Sequence, residues 1–162
     1  KLDDGGNIFI KQERIGQNNT NIKIIKFRTM SIDDSGEGEA NRADRVTRVG
    51  HFFRRSRIDE LPQLWNVFKG DVSLIGPRPE LPKLVSLYEQ EISFYNIRHL
   101  IKPGLSGWAQ LYQKTPPKFS TDYDQTKTKL SYDLFYLKNR SFLLDVKIAL
   151  KTIKSLLSRQ GL

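Results

Sequence analysis

The chain has no cysteine and only two histidines, His51 and His99, in 162 residues. Disulfides and thiolate metal sites are therefore excluded, and a histidine-built zinc site lacks ligands. No stretch reaches the roughly eighteen apolar residues that a bilayer-spanning helix requires. The opening residues, Lys1 to Asn7, are polar and glycine-rich, unlike a signal peptide. Internal repeats and low-complexity segments are also absent. Acidic residues are the scarcer charge: 18 Asp and Glu stand against 27 Lys and Arg, a formal net charge of +9. Such a surface suits nucleic acid, anionic lipid headgroups or phosphorylated small molecules. A hydrophobic content of 38% with 28% charged residues fits one globular domain over residues 1–162.

The patterns predict an α+β fold, mostly helical, with a small antiparallel sheet or hairpin in the N-terminal half. Ile8 to Arg14 and Asn21 to Met30 are rich in β-branched residues, and Gly16-Gln17-Asn18-Asn19-Thr20 separates them as a hairpin loop. An acidic, glycine-rich loop, Asp33 to Glu39, precedes an arginine-rich segment. Leu61, Leu64, Trp65 and Phe68 recur at helical spacing, with Gly70 closing that helix. Val72 to Ile75 is a short apolar run. Glu80 to about Tyr95 is helical, with Leu81, Leu84, Val85, Tyr88 and Ile92 on one face. Trp108 to Tyr112 reads as extended, Pro116 to Thr128 as a polar loop, and Lys129 to Leu157 as long and helical. In the last part, Leu143, Leu144, Ile148, Ile153, Leu156 and Leu157 alternate with Lys147, Lys151, Lys154 and Arg159. This helix either lies on an anionic membrane surface or packs on the core with a solvated basic face.

Three places carry chemistry. Six arginines fall between Arg42 and Arg57, and Asp59-Glu60 follows them directly. Adjacent carboxylates among cations suit a site that binds a metal and attacks a phosphate; the same spacing also reads as a helix start, with Pro62 tolerated in the first turn. Gly76-Pro77-Arg78-Pro79 fixes the backbone on both sides of an arginine, whose planar fork then suits a phosphate or carboxylate. Lys26 and Arg28, by strand alternation, share a face at the end of the second strand.

Lys26-Phe27-Arg28-Thr29-Met30, Arg54 through Leu64 and Gly76-Pro77-Arg78-Pro79-Glu80 together resemble the bacterial sugar transferases, the monotopic polyprenyl-phosphate phosphoglycosyl transferases. Arg98-His99 with Lys102 through Gln110, and Lys129 through Tyr136, extend the likeness in order along nearly the whole chain. The resemblance implies transfer of a phosphosugar from a nucleoside diphosphate sugar, usually a UDP-sugar, to polyprenyl phosphate, with UMP released and magnesium required. It implies Asp59 as nucleophile and Glu60 as magnesium ligand, both catalytic. Lys26, Arg28, Arg54 and Arg78 become phosphate-facing or site-ordering cations, and Asp133 an acid organising the metal or a basic neighbour. Trp65 and Trp108 are expected to pack rather than to bind sugar, and His99 to meet a helix C-terminus. Where small family members carry a glycine-arginine pair after the glutamine, this chain has Leu111-Tyr112-Gln113-Lys114-Thr115, so Lys114 is the substitute cation. The family's N-terminal re-entrant membrane helix is not in this sequence, which on this reading is a catalytic domain acting at the cytoplasmic face of the inner membrane. A nucleic-acid-binding domain or a non-catalytic membrane-surface scaffold would also use the basic surface. Neither accounts for Asp59-Glu60 beside a proline-bracketed Arg78, and the partners expected are UDP-sugar, polyprenyl phosphate and membrane, not nucleic acid.

Overall fold

The structure, a computed structural model, describes residues 6–31, 45–117 and 122–158. The acidic stretch Asp33 to Glu39, Arg42 and Arg159 lie outside these residues. Strands β1 (Phe9–Ile15) and β2 (Asn21–Phe27) form the predicted antiparallel hairpin, with Ile10 opposite Lys26 and Ile15 opposite Asn21. Asn18 and Asn19 turn the chain at φ 53° and 58°, a left-handed conformation that asparagine tolerates. Helix α1 (Arg48–Ser56) begins on Thr47, whose side chain accepts a hydrogen bond from the Gly50 N–H. A single 3-10 turn over Ile58–Glu60 leads into α2 (Gln63–Lys69), which Gly70 ends at φ 82°.

Strand β3 (Ser73–Ile75) pairs in parallel with β4 (Gly104–Ser106). The two backbones cross so closely that a Cβ on Gly104 would stand 2.1 Å from the Gly76 nitrogen. Between them run α3 (Pro82–Glu91) and a 3-10 segment, Tyr95–Leu100. Three further helices follow: α4 (Trp108–Tyr112), α5 (Tyr123–Asn139) and α6 (Phe142–Leu157). The core joins Ile15 of β1 to Val85 and Tyr88 of α3, to Ile92 and Tyr95, and to Leu130 of α5. The Tyr88 and Tyr95 rings lie 5.2 Å apart within it.

Three expectations are corrected, and α2, a helix ended by Gly70 as expected, turns an unexpected face inward. Trp108 to Tyr112 is a helix and not an extended run: the two rings, four residues apart, meet at a centroid distance of 3.9 Å on one helix face. The supposed loop up to Thr128 is already α5 from Tyr123, because Asp122 caps it by accepting from the Gln125 N–H. The long C-terminal helix is two helices, broken where Ser141 accepts from the Leu144 N–H and starts α6. Helix α2 is inverted. Its polar Gln63 and Asn66 are buried, while Leu61, Leu64, Trp65 and Phe68 are exposed, Phe68 to 81%. Asn66 explains the inversion, since it accepts from the Ile25 N–H and donates to the Lys23 carbonyl and to Asp71. That side chain replaces an apolar seam by bonding α2 to the unpaired edge of β2. Among the described residues no helix is long and apolar enough to cross a membrane.

Candidate active site

Close packing brings the arginine segment to the hairpin. Gly50 of α1 sits against the Thr29 backbone, where a Cβ would fall 2.1 Å from the Thr29 carbonyl oxygen. At this distance Arg54, one turn later, donates from Nε to Thr29 Oγ1 at 2.9 Å. Helix α1 then ends on Arg57, whose left-handed φ of 54° reverses the chain and opens the Ile58–Glu60 turn. A non-glycine residue in this region stores on the order of 1 kcal/mol of strain or more, and such residues cluster at functional sites.

The reversal presents Asp59 and Glu60 to different surroundings. Glu60 Oε1 accepts from Arg78 Nη2 at 2.5 Å and from Lys26 Nζ at 3.4 Å, while Oε2 lies 3.8 Å from Arg57. Burial alone would raise the Glu60 pKa, but Arg78, Lys26 and Arg57 outweigh it and hold the carboxyl at about 2. Asp59 has no ion pair among the described residues. Burial and the neighbouring Glu60 carboxylate push its pKa up, against smaller opposing effects from Lys26 and Arg54. One acid is thus locked as an anion by cations, and its neighbour is left an under-compensated carboxylate. Burial and the adjacent Arg78 also lower the Lys26 pKa, against the pull of Glu60.

The structure gathers Lys26, Arg54, Arg57 and Arg78 around the two acids, and places the other candidates elsewhere. Arg28 follows the last residue of β2, its N–H donating to the Ile8 carbonyl at 2.8 Å and its guanidinium to the Asn7 and Met30 carbonyls. Lys114 is exposed in a segment that Gln113 and Thr115 tie to Gln125 at the start of α5. Asp133 is 1% exposed and pairs with the equally buried Arg98 at 2.8 Å, so it organises a basic neighbour from within the core. Arg98 in turn donates to the Arg78 carbonyl at 2.9 Å. His99 stands in the last turn of the 3-10 segment Tyr95–Leu100, as expected; its Nδ1 lies 2.5 Å from Asn19 Oδ1, and burial with the adjacent Arg98 lowers its pKa to about 4. Trp65 stacks on Phe68 at the surface, and Trp108 packs on Phe135 of α5.

Sequence reasoning missed Glu80, Lys129 and Arg14. Glu80 pairs with Lys129, and although burial opposes ionisation, Lys129, Arg98 and Arg14 hold its carboxyl at about 2. A signal was present: Thr126, Lys129, Leu130 and Asp133 share one helical face, and charges at core-facing positions demand internal partners.

A family model for bacterial sugar transferases matches residues 1–159. The chain belongs to the bacterial sugar transferase family. It is 44% identical over 164 residues to the UDP-N-acetylgalactosamine-undecaprenyl-phosphate N-acetylgalactosaminephosphotransferase of Aeromonas hydrophila, a match covering 99% of this chain and 38% of that protein. It is 38% identical to the UDP-glucose:undecaprenyl-phosphate glucose-1-phosphate transferase of Escherichia coli (strain K12), over 94% of this chain and 33% of the relative. An uncharacterized sugar transferase of Bacillus subtilis (strain 168) is 37% identical over 100% of this chain and 76% of its own length. The chain therefore spans about a third of the longer relatives' length. For this bacterial sugar transferase, the likeness takes in the hairpin, the paired acids and the Arg78 turn together.

Proposed function

We propose that this domain transfers a phosphosugar from a UDP-sugar to polyprenyl phosphate at the cytoplasmic face of the inner membrane, the initiating step of a bacterial surface glycan. The observation that carries the reading is the asymmetry of the two adjacent acids. Glu60 is fixed by Arg78, Lys26 and Arg57, whereas Asp59 has no ion pair among the described residues. A carboxylate without a competing cation is the better nucleophile, and splitting one displacement into two lowers each barrier.

In the first step an Asp59 oxygen attacks the phosphorus that carries the sugar. The bond from that phosphorus to the bridging oxygen breaks, UMP leaves with the electron pair, and the phosphosugar remains on the carboxylate. In the second step an oxygen of polyprenyl phosphate attacks the same phosphorus. The acyl-phosphate bond breaks, Asp59 is restored and polyprenyl-diphosphate sugar is released. Arg78, Lys26 and Arg54 stabilise charge developing on the phosphoryl oxygens. Burial and the Glu60 carboxylate raise the Asp59 pKa, which makes its carboxylate more basic.

The donor set fits magnesium. No group of three or more His, Cys, Asp or Glu capable of holding a metal occurs among the described residues. Magnesium, however, is commonly held by one or two carboxylates together with substrate phosphates. Glu60 Oε2 lies 3.8 Å from Arg57, beyond hydrogen-bond reach, and is the oxygen open to the ion, and Asp59 lies next in the chain. When bound, the ion would neutralise the diphosphate and improve the leaving group. The outward apolar faces of α2 and α6, flanked on α6 by Lys147, Lys151 and Lys154, support placement on an anionic bilayer surface.

The reading is tested by incubating the intact protein with magnesium, undecaprenyl phosphate and a panel of UDP-sugars and measuring UMP. Release that is lost in Asp59→Asn supports it; failure of every UDP-sugar to yield UMP overturns it.

A further inference from the structure

Arg78 reaches Glu60 from a segment that cannot hold itself. Pro77 and Pro79 have no N–H to donate, so the stretch from 77 to 80 is secured mainly through its carbonyls. Each of the four carbonyls accepts from a different place in the fold. Pro77 takes the Gly104 N–H at 2.9 Å, and Arg78 takes Arg98 Nη2 at 2.9 Å. Pro79 takes Arg14 Nη1 at 3.2 Å, and Glu80 takes the Ile15 N–H at 2.9 Å. Two of these four donors are guanidiniums, and Lys129 adds a third cation through the Glu80 carboxylate. Three cations packed beneath Arg78 would repel one another and Arg78 itself. Asp133 neutralises Arg98. Glu80 is the acid that remains for Lys129 and Arg14, and the side chains of Glu80 and Lys129 are each only 14% exposed.

We propose that Glu80, Lys129 and Arg14 are positioning residues: they clamp the backbone of residues 78–80 so that the Arg78 guanidinium stays on Glu60 and faces the phosphoryl group. The kinetic consequence rests on the phosphosugar-transfer reading; the positioning itself does not. Helix α5 supplies both ends of the clamp, one turn apart, through Lys129 to Glu80 and through Asp133 and Arg98 to the Arg78 carbonyl. The Arg14 carrier is β1, whose next residue, Ile15, belongs to the hydrophobic core. The reactive arginine is thereby referred to the rigid centre of the domain. Catalytic groups must be held within about 0.5 Å and 10–20° of their productive geometry. A misplacement of about 1 Å lowers rates on the order of a hundredfold.

The test uses Glu80→Gln, Lys129→Met and Arg14→Met in the intact protein, each first shown folded by a cooperative thermal transition. Kinetics are followed as UMP release below the melting point of every variant, and Lys129→Arg is the rescue. Each neutral variant is expected to lower kcat and kcat/KM together by ten- to a hundredfold with KM little changed, because Arg78 acts on the transition state. Lys129→Arg is expected to stay within threefold of wild type. Glu80→Gln with Lys129→Met should lower the rate no more than the worse single variant, as members of one unit do. A second readout needs no substrate: the Arg78 guanidinium, assigned by loss in Arg78→Lys, should show separate Nη proton resonances while held on Glu60 and averaged ones in the neutral variants. Loss of that signature with retention in Lys129→Arg supports the clamp. Persistence of the signature in folded Glu80→Gln and Lys129→Met, or kcat within twofold of wild type, overturns it. If the wild type releases no UMP from any sugar, the transfer reading fails while the Arg78 signature still decides the clamp.

Discussion

Replacing Asp133 by leucine removes the carboxylate that neutralises a guanidinium sealed in the core. Arg98 is 2% exposed and Asp133 1%, and they meet at 2.8 Å. Without Asp133, Arg98 keeps the Tyr95 hydroxyl at 3.1 Å and the Arg78 carbonyl at 2.9 Å as hydrogen-bond acceptors, but its charge loses its nearest anion. Breaking a buried ion pair from one side costs about 3–5 kcal/mol, a large part of a typical folding stability of about 5–15 kcal/mol. At roughly 2–4 °C per kcal/mol for a chain of this length, the melting temperature should fall by roughly 6–20 °C. Removing both charges, Arg98→Met with Asp133→Leu, leaves no buried ion. It orphans mainly the Arg78 carbonyl, at about 1–3 kcal/mol. The double variant should therefore be more stable than Asp133→Leu alone. Urea unfolding followed by far-ultraviolet circular dichroism measures all of these. A loss below about 1 kcal/mol in Asp133→Leu, or a double variant less stable than the single, would refute the reasoning.

Stability should decline on acidification in two stages. His99 titrates at about 4 in the fold against 6.5 in its absence, so the unfolded chain binds the extra proton and stability falls from pH 6.5 towards 4. Glu60 and Glu80 are both held at about 2 against an ordinary 4.5, so their contribution is complete above pH 4.5 and lost from there towards 2. Urea titrations across this range check both stages, and His99→Gln should abolish only the upper one. Gly104→Ala should prevent stable folding, because its Cβ would stand 2.1 Å from the Gly76 nitrogen and no side chain there can yield; soluble yield and thermal unfolding report it. Changing Lys151 and Lys154 to glutamate should weaken binding to anionic vesicles at least tenfold in a sedimentation assay, since each basic residue near such a surface contributes about 1 kcal/mol.

The hairpin was legible because β-branched runs flank an asparagine-rich loop, and the site was legible where rare local chemistry concentrates: two adjacent acids, and an arginine between prolines. Helix α2 was legible as a helix but not in its orientation. Apolar periodicity says that a face exists, whereas Asn66 decides by hydrogen bonds which face turns inward. Helix α5 was misplaced at its start because its first exposed turns are polar, and only the Asp122 cap distinguishes them from a loop. The Glu80–Lys129 and Arg98–Asp133 pairs join residues 49 and 35 positions apart, a relation that no local pattern encodes.

The central claim is that Asp59 becomes covalently attached to the phosphosugar. Its most direct test is intact-mass analysis of the protein quenched after mixing with magnesium and a UDP-sugar that supports turnover, with polyprenyl phosphate withheld. The account predicts a mass increase equal to one phosphosugar, mapped to the peptide containing Asp59, absent in Asp59→Asn and discharged when polyprenyl phosphate is added. An Asp59→Asn protein that still forms the adduct or still releases UMP at the wild-type rate would contradict it.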